Sequence, residues 1–375
     1  MSGGVSLSPT ETSDEQSTVA AKSWRYPAAL VTAGLLLVVT GAAYFYWSVS
    51  RPLIYKSGRI AVHQGDSLTT VARQLQANGI ISNVYCFIAL AYVRGQTKSI
   101  KAGEYELPPE LSIGGLLDQL ISGRVVEYPL ALIEGWTFPQ ILDLLRLSPK
   151  IRHTLSGLSP DQIMERLGHP DMHPEGRFFP DTYLYMAGTT DLSILSRAFE
   201  RMQNQLEQKW ATRSAGLPIK TPDEALTLAS IVEKETGLGS ERSTIAGVLV
   251  NRLKRGMRLQ VDPTVIYGLG AGFEGNLTRQ HLRSDTPYNT YTRYGLPPTP
   301  IAMPGGDALD AVMHPAQTSA LYFVAKGDGS HVFSDTLDEH NQAVIKYQLG
   351  GKAKRFSSFS GDDTPNAVEP QGAIQ

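Results

Sequence analysis

Between Ala28 and Val49 the chain runs for 22 residues without a charge. As an α-helix such a run rises about 33 Å, enough to cross the hydrocarbon core of a bilayer. Tyr44, Tyr46 and Trp47 gather at its far end, where aromatic rings sit at headgroup level. A cleaved signal peptide has a shorter apolar core, about 7–15 residues, and small residues before the cleavage point. Here bulky aromatics follow Ala42 and Ala43. The segment therefore reads as an uncleaved, single-pass anchor in the lipid bilayer. Lys22 and Arg25 before it are balanced by Arg51 and Lys56 after it, so flanking charge does not orient it. A large domain that follows an N-terminal anchor is usually exported, which puts residues from about 51 onward outside the cytoplasm. Residues 1–27, rich in Ser, Thr and Glu, are expected to form a disordered cytoplasmic tail.

The rest of the chain is ordinary in composition, and that excludes several functions. Lys and Arg number 34 against 36 Asp and Glu, so no basic excess is available to meet phosphate and no nucleic-acid partner is expected. The single cysteine, Cys86, permits neither an intramolecular disulfide nor a Cys-rich zinc site. Residues 352–375 lack hydrophobic periodicity and read as a second disordered tail. About 300 residues remain, which suits two domains.

The first, residues 57–124, opens with a short strand at Ile60-Ala-Val-His63 and a turn at Gly65-Asp66. Ser67 can cap a helix with apolar positions at Leu68, Val71 and Leu75, ended by Asn78-Gly79. A second helix over Val84–Val93 and a strand over Lys101–Leu107 complete a βααβ order. That order resembles a LysM module, a small fold that docks on amino-sugar polymers; a plain αβ spacer fits the same pattern. Gly65-Asp66-Ser67-Leu68 also spells a serine-esterase motif, but the late Asp338-Glu339-His340 has the wrong spacing for its partner, and a capped turn explains Ser67 better.

The second domain, residues 125–350, begins with a strand over Val125–Ile133. Helical patterns follow at Phe138–Leu147, Leu192–Trp210, Glu224–Glu235, Glu241–Arg255, Ala308–His314 and Thr336–Tyr347. Leu321–Lys326 and His331–Ser334 read as a hairpin across Gly327-Asp328-Gly329. The fold class is therefore α+β: a membrane helix, a small LysM-like domain, then a mainly helical domain with a few short strands.

No phosphate loop, HExxH helix or Gly-x-Ser-x-Gly elbow occurs. His169 and His173 are four apart, but Pro170 and Pro174 prevent one continuous helical face. No metal or cofactor is expected. The informative segment is Pro222 to Glu235, capped by Thr221 and largely apolar. With Ala225 at 0° and 100° per residue, Leu228, Val232, Ala229 and Ala225 make one stripe. Glu233 and Glu235 border that stripe on opposite sides, and Lys234 faces away. A carboxyl at such a border is partly desolvated and its pKa rises, which suits a proton donor at neutral pH. The wheel does not separate the two glutamates.

Downstream, polar residues are patterned in a way a surface does not need. Asn251 precedes Arg252 inside a helix; then come Gln260, Asp262 and Thr264, and Tyr288, Asn289 and Tyr291. Aromatic faces stack on pyranose rings and amides bond sugar hydroxyls, so these seven are the candidate substrate-binding residues.

At these strings the chain resembles the endolytic murein transglycosylases, the MltG or YceG-like family. The resemblance rests on Glu175-Gly-Arg-Phe-Phe-Pro-Asp-Thr-Tyr183, Leu228-Ala-Ser-Ile-Val-Glu-Lys-Glu-Thr236, Asn251-Arg-Leu253, Met257 to Tyr267, Tyr288-Asn-Thr-Tyr291, Gly295-Leu-Pro-Pro298 and His314-Pro315. It implies a lytic enzyme of bacterial peptidoglycan on the cell (inner) membrane, its catalytic domain periplasmic. The implied partners are the glycan strands and the synthases of elongation or division. It also implies that Glu233 is the catalytic acid. Glu235, Asp262 and Asp181 would then orient substrate or hold the fold. A hydrolytic muramidase and a non-catalytic wall-binding scaffold are the alternatives.

Overall fold

The computed structural model describes residues 1, 3, 4, 25–55 and 58–352. The two tails expected from the sequence fall almost entirely outside the described residues. The chain divides into two compact units, Met1–Val126 and Glu127–Gln375.

The first unit opens with helix α1 (Arg25–Ser50). Its stretch Ala29–Ser50 is long and apolar enough to cross a membrane. Strand β1 (Gly58–Val62) pairs antiparallel with β2 (Gly103–Leu107), Ile60 opposite Tyr105. Between them lie α2 (Leu68–Ala77) and α3 (Val84–Val93). The Ser67 side chain accepts from the Thr70 N–H and caps α2; Asn83 caps α3 through the N–H groups of Tyr85 and Cys86. A further helix, α4 (Ile113–Ser122), closes the core with Leu116, Leu117 and Leu120, all fully buried. It carries Gly114-Gly115 in its first turn, a poor helix signal on its own. Ser112 caps it by accepting the Gly115 N–H, and packing supplies the rest.

In the second unit β3 (Glu127–Ala131) pairs antiparallel with β4 (Thr182–Met186). Helices α5 (Phe138–Leu147), α6 (Pro160–Arg166) and α7 (Asp191–Ala211) pack around this pair, with Phe138, Ile141, Phe178 and Ile194 at the centre. A second core is built on α8 (Pro222–Glu235). Every residue from Ala225 to Val232 in it is buried, so this helix is enclosed on all sides and not merely on one stripe. Thr221 caps it by accepting the Glu224 N–H at 3.1 Å, and Pro222 begins it. Around α8 lie α9 (Gly239–Lys254), α10 (Asp262–Leu269) and α12 (Gly306–Met313), with the short α11 (Arg279–Arg283) beyond α10. The hairpin of β5 (Tyr322–Ala325) and β6 (His331–Ser334) and the last helix α13 (Leu337–Tyr347) form a small cluster of their own.

Candidate active site

Glu233 sits in the last turn of α8, and its side chain is only 6% exposed. Its carboxylate meets two donors. Oε2 accepts the Gly305 N–H at 3.0 Å, at the start of α12, and Oε1 lies 3.4 Å from Nη2 of Arg242 on α9. Arg242, itself 11% exposed, is shared. Its Nη2 also lies 3.7 Å from Glu134 and its Nη1 3.1 Å from Asp307. Three carboxylates from three separate segments thus converge on one guanidinium.

The loop that carries Glu134 is held against the loop that carries Gly305. Gly135 N–H donates to the Met303 carbonyl at 2.9 Å, and Met303 N–H donates to Trp136 at 2.7 Å. A Cβ on Gly305 would overlap the Glu134 carboxylate, so glycine leaves room for that side chain beside Arg242. Lys234 points outward, as the wheel places it, and donates to the Gly135 carbonyl at 3.2 Å. Arg242 is positioned in turn through its neighbour: Glu241 accepts from the backbone and the ring of His331 on β6, at 3.0 and 2.7 Å.

Opposing effects set the proton affinity of Glu233. Burial raises its pKa most, and the negative charges of Glu134 and Asp307 add to that; the Gly305 N–H and the Arg242 charge pull it down. The net shift is upward. The upward shift favours the protonated form that a general acid needs, and the ionised form already has two donors in place.

Glu235 points to the other side of α8 and has a different environment. Its pKa is pushed up to about 8, first by burial and then by the nearby charge of Asp262. Asp262 accepts the Tyr291 hydroxyl at 2.6 Å. The other candidate substrate-binding residues lie as follows. Gln260, in the left-handed region at φ 50°, accepts from Arg252 at 3.2 Å and its N–H donates to Thr290. Thr264 is buried and shares a hydroxyl bond with Thr290 at 2.8 Å. Asn289 is fully buried; its amide donates to the carbonyls of His281, Leu282 and Ser284, and its oxygen accepts the Tyr291 N–H. Asn251 donates to the carbonyls of Thr318 and Ala320. Tyr288 bonds Thr299 and meets the edge of Tyr267, ring centres 4.8 Å apart.

The segment Glu175–Tyr183 has a physical reason for its composition. Glu175 is buried; it accepts the Phe138 N–H at 3.0 Å, at the start of α5, and the Tyr267 hydroxyl at 3.1 Å. Burial outweighs those bonds and holds its pKa at about 7. Arg177 is buried and pairs with Asp223, in the first turn of α8, at 2.7 Å. These two residues fix the starts of α5 and α8, and so the loop and the helix that bring Glu134 and Glu233 together. Arg242, Glu134, Gly305 and Asp307 are absent from the sequence-derived candidates, because they meet only in three dimensions. Among the described residues no group of three or more His, Cys, Asp or Glu side chains is placed to hold a metal ion.

The chain matches the YceG-like family over residues 60–346. An endolytic murein transglycosylase of Bacillus subtilis is 30% identical over 331 residues, covering 83% of this chain and 91% of that protein. One from Streptococcus pneumoniae is 28% identical over 322 residues, covering 77% of this chain and 58% of that longer protein. A crystal structure of a yceG-like protein from Listeria monocytogenes is 28% identical, with a TM-score of 0.48 over 76% of this chain and 98% of that one. With about three-quarters of the chain inside the matched span, the chain belongs to the YceG-like family.

Proposed function

We propose that the protein is a membrane-anchored lytic transglycosylase of peptidoglycan, with Glu233 as its acid and base. It cuts the MurNAc–GlcNAc bond within nascent glycan strands and so terminates their elongation. The observation that carries this reading is the Glu233 carboxyl itself, nearly buried yet poised between Arg242 and the Gly305 N–H.

A lytic cleavage needs one proton carrier, because the nucleophile belongs to the substrate. The Glu233 carboxyl gives its proton to the glycosidic oxygen, and the bond from MurNAc C1 to that oxygen breaks. The carboxylate left behind is stabilised by the Gly305 N–H and Arg242. It then takes the proton of the MurNAc C6 hydroxyl while O6 bonds to C1. The product is a 1,6-anhydro ring, no water is consumed, and Glu233 ends protonated as it began. Hydrolysis is the second reading, because Glu134 and Asp307 are carboxylates close enough to share Arg242 with Glu233, and a second carboxylate is what an added water needs.

The strand–helix–helix–strand order of residues 58–107 supports a LysM-like, glycan-docking role for the first unit. Tyr288, Tyr291, Gln260 and Asp262 are proposed to contact sugar, and the synthases that extend the strand to be partners. The apolar helix Ala29–Ser50 supports an anchor in the cell membrane with the remaining chain outside the cytoplasm. Glu233→Gln tests the assignment: it keeps shape and size but carries no transferable proton. Activity on purified glycan strands should fall by at least about 10²–10⁴, and a variant with full activity refutes the role given to Glu233.

A further inference from the structure

Helix α3 has no charged residue, and apolar or aromatic side chains lie on every side of it. One face, with Cys86, Phe87, Leu90 and Ala91, is buried in the core of the first unit. The opposite face carries Tyr85, half-buried Ala89, Tyr92 and Val93 in one stripe along the helix, with Ile88 at its edge packed against that core. Tyr85 is 81% exposed, Tyr92 69% and Val93 77%. A helix on the surface of a water-soluble module turns a polar face outward; one that is apolar all round is covered.

The contacts of α1 indicate what covers it. The end of α1 is built into the same core as α3: Val49 and, just past the helix, Leu53 are buried in it, Phe45 packs against it, and the Ser48 hydroxyl donates to the Cys86 sulfur at 3.6 Å. Tyr44, Tyr46 and Trp47, one turn or less from those contacts, remain exposed on the other sides of α1. Such a group of aromatic rings at the end of an apolar helix belongs at the headgroups. The first turn of α3 is therefore held at the depth where α1 leaves the bilayer. We propose that the outer face of α3 rests on the membrane surface, with Tyr85, Tyr92 and Val93 among the lipid headgroups, so that the first unit lies on the bilayer.

This inference rests on the anchor reading, and one experiment separates the two. In the full chain with Cys86→Ala, a nitroxide is attached to single cysteines placed at Tyr92, Val93, Arg73, Glu106 or Val38. The protein is reconstituted in vesicles of phosphatidylethanolamine and phosphatidylglycerol. Collisions with oxygen, which concentrates in lipid, are compared with collisions with a water-soluble nickel chelate. Labels at Tyr92 and Val93 should show a several-fold excess of oxygen over nickel access, relative to labels on the outward, polar positions Arg73 and Glu106. Nickel access at Tyr92 and Val93 equal to that at Arg73 overturns the proposal. Shielding from both reagents overturns it too, because a protein surface then covers the face. The label at Val38, midway along α1, reports on the anchor alone: lipid contact there without lipid contact at Tyr92 refutes only the docking of α3, and nickel access at Val38 refutes the anchor.

Discussion

Arg242 is the residue on which the local electrostatics turn. It lowers the proton affinity of Glu233, while the negative charges of Glu134 and Asp307 beside it raise it. If Glu233 must be protonated to start the reaction, activity falls as pH rises through its pKa. Arg242→Gln removes a positive neighbour, raises that pKa and moves the alkaline limb of the kcat/KM profile to higher pH. Glu134→Gln removes a negative neighbour and moves the same limb to lower pH. A pH–rate series on both variants checks this; shifts of the same sign, or none, contradict the geometry. Gly305→Ala should lower activity on the alkaline side, because the new methyl turns the half-exposed Glu134 carboxylate away from Arg242 and so lowers the Glu233 pKa as Glu134→Gln does. Steady-state rates at matched stability measure it. The sequence showed both glutamates of α8 at the edge of an apolar stripe, and both do have raised pKa values. It could not show that one faces an arginine and a backbone donor while the other faces Asp262, because those partners lie on other elements.

At the scale of elements, the starts of α5 and α8 depend on the buried Glu175 and Arg177. Glu175 has a pKa near 7 against an ordinary 4.5, so the folded state keeps a proton that the unfolded chain releases. Its stabilising effect is complete below about pH 4.5 and is lost progressively as pH rises through about 7. The loss is on the order of 3 kcal/mol. Glu175→Gln should therefore gain stability relative to the parent protein as pH rises from about 5 to 7. Denaturant midpoints across that range test it, and parallel curves for the two proteins contradict it. Gly247, inside α9, approaches the Ala316 carbonyl so closely that an added Cβ would sit 2.7 Å from that oxygen. Gly247→Ala should cost about 1–3 kcal/mol, read from the shift of the same midpoints. Most helices were legible because their caps and apolar spacing are local: α3 and α5 have the bounds their sequence suggests, and α8 begins at its Thr221 cap. Helix α4 was not, since its paired glycines hide a helix that only packing stabilises. Strand β4 was not, since its alternation of buried Tyr183 and Tyr185 spans only five residues and needs β3 beside it.

At the scale of the whole molecule, the apolar helix near the N-terminus and the glutamate proposed as the acid on α8 bear on separate questions, where the enzyme is proposed to work and how. Placement outside the cytoplasm predicts that a phosphatase active only in the periplasm, fused after Gly350, is active in cells. A silent phosphatase beside a working cytoplasmic reporter at that point contradicts it. The chemistry is tested most directly by digesting purified glycan strands with the unaltered protein in ¹⁸O-water and weighing the new ends. An intramolecular attack by the MurNAc C6 hydroxyl gives 1,6-anhydro ends without label, lighter than a hydrolytic end by one water. Labelled reducing ends as the main product contradict the lytic mechanism and assign Glu134 or Asp307 the work of directing water.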